Sequence, residues 1–306
     1  MHLWRRVALK NKRGFRTPHF APRSLRNIVK ALFFSLTIPL AARAGSDVAF
    51  VTDSSKFSYD QRYRYAYELG LNLTAFQVNE LCNFLLRHPS EDSVGADRLA
   101  SIKNNVADVL LQQRNIAPSL SNTFFKIIAD SAQGALWREY TVQKLPVLCL
   151  KTADENEQKE TLGRLWKEFH NPTGEFVGTA LGGLDRIHRI NSQLVPLNEI
   201  VEASKTVMSQ KSQSIQPFAK VNALQILGSY DALAAHDIAI GFLSDDTAPI
   251  MLQASALATL GMTGDTRDLP IIAPFLSAGD SRLKLAAAAA YRKLTPRNRS
   301  ASKTPN

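Results

Sequence analysis

Val78, Leu81, Cys82 and Leu85 share one face of a helix, and so do Leu99, Ile102, Val106 and Leu110. Just upstream, the stretch SYDQRYRYAYELG sets Tyr59, Tyr63 and Tyr67 four residues apart, an aromatic stripe flanked by Arg62 and Arg64. Helical periodicity readily produces such stripes in cores, so packing is the expectation and stacking on bases or sugars the alternative. Further along, a longer period is superimposed. ALGGLD (180–185), ALQILG (223–228), ALATLG (256–261) and AYRKLT (290–295) recur at intervals of 43, 33 and 34 residues. Each closes a second helix, and upstream of each lies a first helix running into a polar turn: LWKEFHNPTGE, TVMSQKSQS, IGFLSDDTAP and IAPFLSAGDS. FFKIIADSAQG followed by ALWREYTVQKLPVL is a weaker, earlier copy.

Two helices per unit of this length predict an all-α fold, an α-solenoid or superhelix of stacked helical hairpins. Ala256, Leu257 and Leu260 fall on one stripe, where the small Ala admits the neighbouring helix and the leucines fill the space between units. One hairpin cannot bury such a stripe alone, so the units must stack. Asp245, Asp246 and Asp280 sit in turns, placed to accept hydrogen bonds from the free N–H groups of the next helix. Pro270 suits a first helical turn, and Pro274 is expected to bend its helix.

On these residues the chain resembles the HEAT repeat family, whose first helices end in leucines and Asp and whose second helices end in A-x-A-L-x-x-L-G. The resemblance spans residues 121–294 and is strongest from Val221 on. The Val-Arg that usually opens the family's second helix is replaced by Pro249-Ile250 in one unit and Leu283-Lys284 in another. Only Lys284 keeps the basic character of the Asp–Arg ladder the family implies. The tetratricopeptide family has a similar period, but its W-x-x-L-G-x-x-Y pattern is absent.

The formal charge of +10 lies entirely in the leader: ten basic residues and no acidic one precede Gly45, leaving 27 of each sign in the rest. A basic n-region to Lys30, an apolar run at 31–42, and Ala42 and Ala44 before Gly45 make an export signal. The apolar run is too short to span a bilayer, so membrane contact is expected only transiently, through this segment. Export to the periplasm or outside the cell follows; an organellar transit peptide is the alternative. The domain reading is a signal peptide at 1–44, a linker at 45–57, an N-terminal helical capping region at 58–118, the solenoid at 119–294 and a disordered tail at 295–306.

Candidate chemistry is sparse. Cys82 and Cys149 lie in apolar runs and read as buried thiols; a disulfide between them is the alternative. His88, His170, His188 and His236 are scattered and no His-Glu dipeptide occurs, so no metal set is expected, neither a zincin motif nor the His-Glu pairs of the di-iron hydroxylases built on HEAT-like repeats. GTALGGLD (178–185) lacks the GxGxxG and GK[ST] patterns, and its glycines are assigned to close helix contact. No catalytic residue and no cofactor are expected. The favoured function is a non-enzymatic exported scaffold binding a protein or peptide, not nucleic acid, since the body has no excess positive charge. An enzyme or nucleic-acid binder using a groove of the same fold is the alternative. In the last helix Leu283, Ala287, Ala290, Tyr291 and Leu294 form the expected core stripe, which leaves Leu285, Ala288 and Ala289 as the candidate partner face.

Overall fold

A computed structural model describes residues 46–114, 118–171, 174–210 and 215–295. The cleavage site expected at Ala42, Ala44 and Gly45 and the tail beyond Thr295 lie outside them. Among the described residues there are fourteen α-helices and no strand. They are α1 (Ser46–Thr52), α2 (Tyr59–Glu68), α3 (Ala75–Leu86), α4 (Ala96–Gln112), α5 (Pro118–Ala129), α6 (Ala135–Lys151), α7 (Glu155–Phe169) and α8 (Val177–Ile190). Then follow α9 (Leu197–Ser209), α10 (Pro217–Tyr230), α11 (Ala232–Leu243), α12 (Ile250–Thr263), α13 (Leu269–Ile272) and α14 (Ser281–Leu294). No described helix is long and apolar enough to cross a membrane.

Polar caps set many of the helix starts. Ser58 with Gln61 and Thr74 with Gln77 form reciprocal capping boxes on α2 and α3. Asp154, Asp231 and Asp280 accept from the first free N–H groups of α7, α11 and α14. Asp245 departs from the expectation: it accepts from the Thr247 N–H within the turn, while Pro249 precedes α12. Pro274 acts as expected, for α13 tightens into a 3-10 turn at Ala273–Ser277.

Consecutive helices from α5 onward pair as α5–α6, α7–α8, α9–α10 and α11–α12, and the α13–3-10 segment pairs with α14. The second helices form a continuous row in which α4, α6, α8, α10, α12 and α14 each pack on the next, with α2 covering α4. This is an all-α solenoid of stacked hairpins. The repeated alanines are the contact points: Ala180, Ala223 and Ala256 are 0% exposed and Ala290 is 1%. A Cβ on Gly178 would lie 2.8 Å from Ala219 Cα, and one on Gly261 would lie 2.8 Å from Ala290 Cα. At those crossings only glycine fits without displacing a backbone. The hydrophobic core runs as two clusters that meet in α10, which supplies Ala223 and Ile226 to one and Leu224 and Leu227 to the other.

Two expectations are corrected at the N-terminal end. Residues 45–57, read as a linker, hold α1, whose Val48 and Val51 are buried against α2 and α3. Its last carbonyls are satisfied from other helices, Val51 O by Arg62 Nε at 2.8 Å and Thr52 O by Arg87 Nη1 at 2.7 Å. The tyrosine stripe of α2 is the other, and only at Tyr67, since Tyr59 and Tyr63 pack against the core as expected. Tyr59 and Tyr63 are half-buried and Tyr67 is 66% exposed, because the inward face carries Arg62, Ala66 and Leu69 instead. Arg62 can be buried since both its terminal nitrogens reach Asp92, at 2.8 and 2.7 Å. Burial pushes the Asp92 carboxyl up, but hydrogen bonds from Arg62 and the Val94 N–H, with the Arg62 and Arg87 charges, together outweigh it and hold its pKa below the usual value.

The end of α3 shows how units are joined. Its last carbonyls accept side-chain donors from the following elements: Leu85 O from Trp137 Nε1, Leu86 O from Gln133 Nε2 and Arg87 O from Lys103 Nζ. Burial, and next the Arg87 charge, push the Lys103 amine down to about 8.

Candidate interaction face

Each second helix buries one side against its first helix and its flanks against neighbouring second helices, which leaves one side open. On α10 the open stripe is Phe218, Val221, Gln225 and Ser229; on α12 it is Met251, Ala254, Ala258 and Met262; on α14 it is Leu285, Ala288 and Arg292. Phe218, Met251 and Leu285 occupy the same place in the 33- and 34-residue repeat and are 45%, 43% and 73% exposed. They form three rungs of one row running along the solenoid. Val221, Ala254 and Ala288 form a second, half-buried row beside it.

The open side changes character along the chain. Upstream it is charged and paired: Asp108 of α4 meets Lys144 of α6, and Arg138 of α6 meets Glu175, just before α8, at 3.0 Å. On α8 it carries Arg186 and the Arg189–Asp185 pair, at 2.8 Å. On α10 and α12 no exposed charge remains, and α12 contains no charged residue at all. Taking ~1.5 Å per residue along each helix and ~9 Å between helices, the open area of these three helices is roughly 16 by 20 Å, on the order of 300 Å², and apolar except at Gln225, Ser229 and Arg292. The largest apolar patch on a typical monomer is of this order and is often functional.

Of the three residues singled out in the last helix, Leu285 is exposed and Ala288 and Ala289 are half-buried. Leu285 and Ala288 lie on the open stripe. Ala289 corresponds in the repeat to Asn222 and Ser255, which turn inward; Asn222 Nδ2 donates to Gly178 O of the preceding second helix at 2.9 Å. Sequence reasoning missed Phe218 and Met251. The available signal was their register, 33 and 34 residues apart in line with Leu285, rather than their identity.

The histidines are engaged locally. His88 pairs with Asp130 at 3.1 Å, His170 stacks on Trp166, and His188 Nδ1 lies 2.8 Å from Val195 O. His236 Nε2 lies 3.2 Å from both Asp268 oxygens, beside a cleft of about 530 Å³ lined also by Leu233, Gly264 and Arg267. Burial works against the charged imidazole there, but hydrogen bonding to Asp268 and Asp237 outweighs it and raises the pKa. Cys82 and Cys149 are free, buried thiols, and burial pushes Cys149 up to about 11. Residues 178–185, which superficially look like a phosphate loop, are helical, and a Cβ on Gly183 would lie 2.9 Å from Pro146. No group of three metal-ligating side chains converges among the described residues.

No family model matches the chain, and no curated protein matches it. Solved structures do. Human deoxyhypusine hydroxylase in complex with glycerol aligns at 13% identity and a TM-score of 0.37, covering 83% of this chain and 96% of that one. An engineered protein aligns at 13% identity and a TM-score of 0.40, covering 82% and 98%. A designed armadillo repeat protein aligns at 12% identity and a TM-score of 0.36, covering 82% and 99%. The chain is a helical-repeat protein, as its own stacked hairpins define.

Proposed function

We propose that this protein is a non-enzymatic scaffold, exported by its N-terminal leader, that binds a protein or peptide partner through the open side of α10, α12 and α14. The observation that carries the reading is the three-rung row of Phe218, Met251 and Leu285. Three exposed apolar side chains at one repeat position, on helices whose open sides carry no acid, form a surface that gains from being covered. Export rests on the ten basic residues, the apolar run and the small residues Ala42 and Ala44.

Met251→Glu tests the binding face. The side chain is exposed, so the melting transition should stay within about 0.5 kcal/mol of wild type, while a partner that co-purifies with the wild-type chain should be lost. Retention of that partner at wild-type yield contradicts the reading. Export is tested by intact mass: the mature chain in the exported fraction should begin at Gly45, and a mass that still includes residues 1–44 contradicts cleavage.

A further inference from the structure

The charge surrounding the apolar row identifies its occupant. Across α10, α12 and α14 there is no acidic residue, whereas α14 alone carries Arg282, Lys284, Arg292 and Lys293. Arg282 is neutralised by Asp280 at 2.7 Å. Lys284, Arg292 and Lys293 have no acidic partner among the described residues, and neither has Arg186, which borders the row on α8. The apolar floor thus lies between two basic rims. From Ser281 to the last residue the sequence holds seven basic side chains and no acidic one, so the residues before it, back to Gly45, carry a compensating excess of acid.

The size of the patch selects among partners. About 300 Å² is well under the ~800 Å² that each partner buries in a stable complex of ordinary size, so the row does not by itself support a dimer of this chain. It does match one helix: crossing three rungs of ~9 Å spacing takes roughly three to four turns. Phe218 and Met251 each have more than half of their surface covered by the fold, so only Leu285 stands clear as a wedge for a bilayer would. We infer, resting on the binding reading above, that the row receives an amphipathic helical segment of a partner protein, apolar on one side and flanked by acidic residues that meet Arg186 on one rim and Lys284, Arg292 and Lys293 on the other.

Three probes test this against the mature chain: a labelled 16-residue amphipathic helix of Leu and Glu, the same helix with Lys for Glu, and phosphatidylglycerol vesicles. The Leu/Glu helix should bind, the Leu/Lys helix should bind on the order of tenfold or more less tightly, and the combined Lys284→Glu and Arg292→Glu variant should reverse that order. Both substituted side chains are exposed, and an unchanged circular dichroism melt establishes that the variant is folded. Equal binding of both helices, lost on Met251→Glu, overturns the acidic preference while leaving the face. Helix binding that survives Met251→Glu overturns the face as well. Vesicle flotation without binding of either helix replaces the protein partner with a membrane surface.

Discussion

Replacing glycine by alanine at two helical positions separates helix propensity from the stacking that defines this fold. Gly163 lies inside α7 with nothing within 4 Å of where a Cβ would stand, whereas a Cβ on Gly261 would lie 2.8 Å from Ala290 Cα and 3.0 Å from its Cβ. Neither backbone is left-handed, since the one positive-φ glycine described is Gly174. Alanine should therefore gain about 1 kcal/mol of helix stability at both sites. At Gly163 that is the whole effect. At Gly261 the added methyl meets backbone, which cannot rotate away, so α12 and α14 must separate; overpacking of this kind costs about 1–3 kcal/mol. The two variants should differ by about 2 kcal/mol, with Gly163→Ala more stable than wild type and Gly261→Ala less stable. Urea unfolding followed by circular dichroism measures the difference, and hydrogen exchange should localise the Gly261→Ala loss to α12 and α14, since stacked repeats open locally. Equal stabilisation by both substitutions would refute the close α12–α14 crossing.

Three further outcomes follow from the packing. Leu257→Asp places an unpaired charge at a fully buried position between units and should abolish the cooperative melt of the C-terminal hairpins. Asp92→Asn breaks the buried pair with Arg62 and should cost about 3–5 kcal/mol at neutral pH. Because the Asp92 pKa is lowered on folding, that difference from wild type should persist above pH ~4 and shrink as the pH falls through the folded value, in acid titrations of both proteins. Lys103 titrates the other way: folding lowers its pKa to about 8, so the cost of burying its charge is present below pH 8 and is relieved as the pH rises toward the unfolded value near 10.5. From pH 7 to 9.5 wild type should gain about 2 kcal/mol relative to Lys103→Met in urea unfolding; a pH-independent difference would show that folding does not lower the pKa of this amine.

Much of this architecture was legible in the sequence because close stacking restricts residue type. Ala180, Ala223, Ala256 and Ala290 must be small where second helices cross, and that requirement survives when the rest of a repeat drifts. What escaped notice depends on partners distant in the chain. Arg62 reads as a solvated flank of the tyrosines, and only Asp92, thirty residues on, turns it into the buried member of α2. Helix α1 escaped because a single Val48–Val51 spacing is too short to show a period, and donors from Arg62 and Arg87 complete it. The exposed row was half legible. Leu285 stood out as an apolar residue off the core stripe, but Phe218 and Met251 share only its register, and a register does not reveal exposure until the units are stacked.

The most direct measurement of the central claim is site-specific photo-crosslinking in the native host, with a photoreactive amino acid placed in turn at Phe218, Met251 and Leu285, and at exposed Glu160 on the first helix α7 as a control. If the row is the docking face, the three rungs should yield an adduct of one and the same mass, and Glu160 should yield none. Adducts of equal yield from Glu160, or three rungs that capture nothing in common, would contradict it.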